Sequence, residues 1–348
     1  NSMAAALNAA TNNTAVGYFS LNAITSGDNN IGIGSEAGGS LTSGIKNTIM
    51  GVQAGDAMTS TNHTTLIGFQ AGTAINDTGA NGTVAIGYLA GTAITSGGGN
   101  TIIGQKAGWS LADDNYNTFV GYQAGMMAEG GADAANVYMG YLAGYQVDDG
   151  VSNVAIGREA MESSTAGGND ASYNVAIGDR AMEAVTDGDS NVAIGYAAGQ
   201  DITTGELNVF VGRNAGGNSI ISQRAVGIGY EALNRYGKTS VQTGAPVAIG
   251  FEAGRFATGS QNVFVGYETG KGGTQSGGLT SGDANTAVGY HALTAFTTGH
   301  SNAAFGHTAF EALTTGHTNT ALGCRAGLVL TEGSSNTFVG KDAGDSAT

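Results

Sequence analysis

The chain has 348 residues, of which 61 are glycine and one is proline; 11% are charged and the formal net charge is −15. This balance excludes a nucleic-acid partner, which needs clustered lysine and arginine, and a single cysteine, Cys324, excludes any disulfide within the chain. No run of eighteen apolar residues occurs, so no membrane-spanning helix is expected, and the start Asn1-Ser2-Met3 does not read as a secretory leader.

Hydrophobic residues make up 41% of the chain and recur at fixed spacing, which separates a repeat protein from a disordered one. The repeat is marked by an apolar residue, then glycine, then alanine three positions on. Its anchors are Gly17, Gly34, Gly51, Gly68, Gly87, Gly104, Gly121, Gly140, Gly157, Gly178, Gly195, Gly212, Gly229, Gly250, Gly266, Gly289, Gly306, Gly323 and Gly340. Twelve of the eighteen gaps are 17 residues, so one unit repeats throughout.

With the anchor as position 0, positions −3 to −1 are rich in Val, Ile, Thr and Phe and predict a short strand. Glycine at 0 suits a bend or a positive φ. Alanine at +3, present in seventeen copies, is small enough for two β-layers of a thin coil to meet. Position −4 is asparagine in fifteen copies: Asn13, Asn30, Asn47, Asn100, Asn117, Asn136, Asn153, Asn174, Asn191, Asn208, Asn262, Asn285, Asn302, Asn319 and Asn336. Asparagine there is expected at a corner, tolerating left-handed backbone and bonding to its counterparts as a ladder. A Ser/Thr-Gly turn closes the other side. Glycine every few residues, at roughly 1 kcal/mol each, argues against helices.

The expected fold class is therefore all-β, a parallel β-solenoid of about nineteen coils. It forms one repeat domain over 1–348, with a fragmentary coil at 1–12 and regular coils over 13–344; the chain is expected to continue past both ends. At a strand spacing of about 4.8 Å, such a stack is a rod of roughly 90 Å.

Positions −1 and −2 point to opposite faces, yet both are apolar, so both faces call for cover. One fills the coil. The other is assigned to the column holding Phe119, Tyr138, Phe210, Phe264 and Phe338, the expected seam of a lateral assembly of parallel chains, most simply a homotrimer.

Side chains with chemistry are few. His300 and His317 share a column in adjacent coils and are candidate metal ligands between chains; the alternative is stacked polar turn residues. Tyr or Phe at +1 in ten copies makes either a cross-coil ladder or a glycan-holding surface. Longer coils insert segments at 73–82, 126–135, 162–173, 234–245 and 271–284. Within the fourth, Arg235, Tyr236 and Lys238 are the candidate partner contact. The Asp113-Asp114 and Asp148-Asp149 pairs lack a calcium-roll nonapeptide. No Ser-His-Asp arrangement and no carboxylate pair outside the repeat columns suggests catalysis, so no enzyme and no cofactor is expected.

The blocks Asn153-Val154-Ala155-Ile156-Gly157 and Asn191-Val192-Ala193-Ile194-Gly195 resemble the head repeat of YadA-like trimeric autotransporter adhesins. The longer unit Asn117-Thr118-Phe119-Val120-Gly121-Tyr122-Gln123-Ala124-Gly125 is similar to repeats in phage tail fibres. The resemblance spans 13–344 and implies a left-handed β-roll in a homotrimer. The unit is longer than the usual adhesin-head unit, and no coiled-coil stalk or anchoring barrel is read. The expectation is thus the structural shaft of a virion tail fibre, holding a receptor-binding tip and contacting other tail proteins and host glycans. Alternatives are a bacterial surface adhesin head gripping glycan or matrix protein and, last, an ice-binding solenoid.

Overall fold

The computed structural model describes residues 9–128, 134–163, 169–237, 244–273 and 280–346. The chain divides into two compact units, Asn1–Asn174 and Val175–Thr348. The fold is all-β throughout, a parallel β-solenoid of about eighteen coils. A single 3-10 turn at Thr78–Ala80 is the one helical element among the described residues. The first unit holds nine three-residue strands, from Thr14–Val16 to Val154–Ile156. The second holds ten, from Val175–Ile177 to Thr337–Val339.

Each strand occupies the predicted −3 to −1 positions, and like pairs with like. In the first unit Thr14, Ala15 and Val16 lie beside Ile31, Gly32 and Ile33. In the second Val192, Ala193 and Ile194 lie beside Val209, Phe210 and Val211. The insertions leave this register intact: Val263, Phe264 and Val265 still meet Thr286, Ala287 and Val288, 23 residues on.

The anchor glycine is demanded twice over. Its φ lies between 120° and 147° in every copy, a region L side chains avoid. A Cβ on Gly17 would also stand 2.4 Å from the Gly34 carbonyl oxygen of the next coil. Backbone N–H groups bond to the coils on both sides, as Gly34 N–H donates back to Val16 O at 2.8 Å and Thr14 N–H forward to Asn30 O at 2.8 Å.

The coil interior is built from four columns. The −2 residues, such as Ile49, Phe119 and Tyr138 in the first unit and Phe210 and Phe264 in the second, are fully buried. So are the +3 alanines from Ala37 to Ala326, and so are Ile24, Leu41, Met58, Val185, Ile202, Phe296 and Leu313 of the +7 column. The fourth column is +4. A large side chain at −2 is always accompanied by glycine at +4, as in Phe119 with Gly125, Tyr138 with Gly144, Phe210 with Gly216 and Phe264 with Gly270. A Cβ on those glycines would fall 2.6, 2.4, 2.5 and 2.1 Å from the respective ring. Where +4 is large, as in Leu21, Met161, Met182, Leu233, Leu293 and Phe310, the −2 residue is alanine or glycine. Each coil thus admits at most one large group at this level, from −2 or from +4, as close packing requires.

The seam assignment is corrected here. Phe119, Tyr138, Phe210 and Phe264 are interior residues, and Phe338 is half-buried against the same core. In a three-residue strand only the middle side chain points inward, and that is the −2 position. The exposed apolar column is −1, which carries Val16, Met50, Ile103 and Met139 in the first unit and Ile194, Ile228, Ile249, Phe305 and Leu322 in the second.

The asparagine ladder is present and its geometry is specific. In the first unit Asn13 Oδ1 accepts from both the backbone N–H and Nδ2 of Asn30, at 2.9 and 3.0 Å. Asn30 Nδ2 also donates to Gly44 O of the next turn at 2.8 Å. The same pattern runs through Asn100, Asn117, Asn136, Asn153 and Asn174. In the second it joins Asn191 to Asn208, and Asn262 through Asn285, Asn302 and Asn319 to Asn336. The left-handed backbone, however, lies one residue earlier, at −5: Asn12, Lys46, Tyr116 and Ser152 have φ between 56° and 63°. The asparagines are ladder rungs, not the left-handed corner.

The ladder's exceptions compensate one another. Thr64 uses its own N–H and hydroxyl to reach Asn47 Oδ1, at 3.0 and 2.8 Å. Ala225 N–H donates to Asn208 Oδ1 at 3.0 Å but offers no acceptor to the rung above. That rung is Pro246, the only proline in the chain, and it has no N–H to satisfy.

Candidate interaction surface

Outside the coil, two neighbouring columns stand in solvent: the apolar −1 residues and the aromatic +1 residues. In the first unit Phe69 stacks on Tyr88 at 5.6 Å and Tyr122 on Tyr141 at 5.4 Å. In the second the stack is continuous from Tyr230 through Phe251, Tyr267 and Tyr290 to His307, with centroids 4.9–5.2 Å apart. Arg213 extends it by lying 5.4 Å from the Tyr196 ring and 5.9 Å from that of Tyr230.

This stacking decides what the ladder can do. The π-faces of its inner rings are covered by the rings above and below, and only their edges reach solvent. A sugar stacks on a ring face, so Phe251, Tyr267 and Tyr290, each between two rings, are cross-coil packing with an apolar rim. Beside the −1 column the ladder forms a long exposed apolar strip within each unit.

In the second unit two further columns, +2 and +5, pair opposite charges. Arg255 bonds Glu231 and Glu252 at 2.5 and 2.8 Å, and Lys271 bonds Glu252 and Glu268 at 2.5 and 3.2 Å. His291 then stands 3.6 Å from Glu268 and 3.5 Å from Glu311. Burial works against the charged form of Lys271, but its hydrogen bonds to Glu252 and Glu268 outweigh this and raise its pKa. The neighbouring groove, about 540 Å³, is lined by Arg255, Phe256, Glu268, Lys271 and Thr294. Its charged groups are thus ion-paired with one another.

Tyr236 is not a surface residue. It occupies +7, the column that holds Ile24 and Leu313 in other coils, and is fully buried; burial pushes its phenol up to about 12. Arg235 is half-buried over the Phe256 ring, at 5.2 Å. Lys238 lies outside the described residues. The +7 column was readable in the sequence, since an apolar residue stands seven after most anchors, and it would have placed Tyr236 inside.

His300 and His317 do stack, with ring centroids 4.9 Å apart, on exposed turns. His317 Nδ1 lies 2.9 Å from Ser334 Oγ, which engages one ring nitrogen. In the +8 column threonine hydroxyls donate to the next coil, as Thr42 Oγ1 to Thr59 O at 2.9 Å and Thr314 Oγ1 to Thr331 O at 2.9 Å. No protein-family model matches the chain, and no curated protein matches it.

Proposed function

We propose that this chain is the structural shaft of a phage tail fibre, assembled as a parallel homotrimer that holds a receptor-binding tip away from the particle. The observation that carries the reading is the exposed apolar strip of −1 and +1 residues. It repeats once per coil, so a surface that covers it must have the same period, and another copy of this chain has it. The asparagine-ladder bonds run from coil to coil within the chain, which suits a spacer.

Cys324 supplies the test, because it is exposed and sits at +1 beside Leu322 in that strip. In a parallel in-register assembly each Cys324 faces its own copies. Mild oxidation or a short bis-maleimide linker gives a covalent dimer at Cys324, and light scattering gives three times the chain mass. A monomer by scattering, or no cross-link in an assembled species, overturns the proposal. The second reading is the head of a bacterial trimeric surface adhesin. Electron micrographs of the source particle separate the two, by showing whether the shaft projects from a virion or from a cell.

A further inference from the structure

Four consecutive rungs of one turn column, six residues before their anchors, are Asp283, His300, His317 and Ser334. All four lie in the second unit, within the described stretch 280–346. Backbone bonds hold the column in register: Ser301 N–H donates to Asp283 O, Thr318 N–H to His300 O and Ser335 N–H to His317 O, each at 3.0 Å. Two residues on in each coil, Asn319 N–H donates to Asn302 Oδ1, also at 3.0 Å. The two histidine backbones are thereby fixed about one strand spacing apart, about 4.8 Å, while both residues are exposed.

The two rings are set alike. Their centroids are 4.9 Å apart and their planes differ by 18°. Each has a serine hydroxyl at the same nitrogen: Ser301 Oγ lies 3.4 Å from His300 Nδ1, and Ser334 Oγ lies 2.9 Å from His317 Nδ1. Ser334 Oγ already accepts the His317 backbone N–H at 3.1 Å, and a hydroxyl oxygen has a second lone pair for an Nδ1–H. With the proton on Nδ1, the free lone pair of each ring is on Nε2. A metal-ligating imidazole has this form, one nitrogen on the ion and the other in a hydrogen bond. Neither Nε2 has a hydrogen-bond partner among the described residues.

We infer that His300 and His317 form a two-nitrogen site for a divalent transition metal of the Zn²⁺ or Ni²⁺ kind, with water in its remaining positions. Imidazole suits these ions, whereas Mg²⁺ and Ca²⁺ take oxygen ligands. Two nitrogens at about 2.1 Å from one ion are at most about 4.2 Å apart. The stacked rings must therefore turn, and their Nε2 ends must converge, to take it. Exposure leaves them room to turn, and the backbone register keeps the distance to close small. The surrounding charge favours a cation, since Asp283 stands on the rung before His300 and the chain carries −15. His291 is apart from the site, with its ring nitrogens 3.6 and 3.5 Å from Glu268 and Glu311. Both ligands come from one chain, so the site stands whether or not chains assemble.

The test is isothermal titration of the full chain with Zn²⁺, Ni²⁺ and Mg²⁺ at neutral pH, with thermal melts in the presence and absence of Zn²⁺. Zn²⁺ and Ni²⁺ each bind at one ion per chain, and Mg²⁺ does not bind. His300→Ala and His317→Ala each weaken binding about tenfold or more, the least that loss of a partner supporting a ligand costs, and here a ligand itself is lost. His63→Ala, His291→Ala and Cys324→Ser bind as wild type. Without metal the His300 and His317 variants melt as wild type does, because both residues are exposed. With Zn²⁺ the wild-type midpoint rises and theirs does not. Binding falls away toward about pH 5, where imidazole takes up a proton. Absence of one-per-chain uptake of either metal, unchanged affinity in either the His300 or the His317 variant, a loss in His63→Ala, His291→Ala or Cys324→Ser as large as theirs, or equal binding of Mg²⁺ each overturns the inference.

Discussion

At the scale of single residues, the interior obeys a volume rule between −2 and +4. Phe210→Ala should cost about 3–5 kcal/mol, as for other buried aromatics cut to alanine. Gly216→Ala should also destabilise, by about 1–3 kcal/mol, because its Cβ would enter the Phe210 ring. The coil anchored at Gly289 holds Ala287 and Leu293, the opposite solution, with Leu293 at φ 53°. Phe210→Ala combined with Gly216→Leu should therefore recover much of the loss, and urea titration of the four chains measures the coupling. Electrostatics gives a second residue-level expectation. Burial first, and then Glu36, raise the Asp56 pKa. A carboxyl with a raised folded pKa carries no penalty below its unfolded pKa and a full one above the folded value. Asp56→Asn should thus raise the melting midpoint at pH 7 and leave it unchanged at pH 3.

At the scale of one element, the asparagine ladder is the most exacting. Asn302 Oδ1 accepts from the N–H and Nδ2 of Asn319, at 3.0 and 3.1 Å, and its Nδ2 donates to Gly316 O at 2.8 Å. Asn302→Ala leaves the Asn319 donors and the Gly316 acceptor without those partners and should cost about 1–3 kcal/mol in denaturant unfolding. Pro246→Ala restores an N–H beneath which Ala225 offers no acceptor, so it should destabilise although it removes the only proline. The ion column makes a separate claim. Lys271 has a raised pKa, so its contribution is complete below the ordinary lysine range and fades as pH climbs through the folded value. Wild type and Lys271→Met should differ in midpoint at pH 8 and converge in strong alkali.

At the scale of the whole molecule, the open question is what covers the −1 and +1 strip. Ile249 and Phe305 are exposed on it, so Ile249→Lys with Phe305→Lys should leave the coil folded. The doubly charged strip would be excluded from an apolar interface. The expected outcome is a monomer by light scattering with a cooperative thermal transition, whose midpoint no longer depends on concentration. A midpoint that is independent of concentration in the wild type already would remove the reason for the variant.

The sequence by itself determined the coil. The anchor glycines, the three-residue strands, the +3 alanines and the Asn rungs could be read because every copy repeats the same local demand: a positive φ, an inward side chain, a bond to the next rung. The tertiary structure alone decided which of two apolar columns faces inward. A strand's alternation says that −1 and −2 differ but not which is inside, and the turns on either side settle it. It also decided that Tyr236 is core, that the left-handed residue precedes the asparagine, and that the +1 rings of the second unit stack on one another. Each of these depends on what lies one coil above or below, about 17 residues away, and not on the residue's own neighbours in the chain.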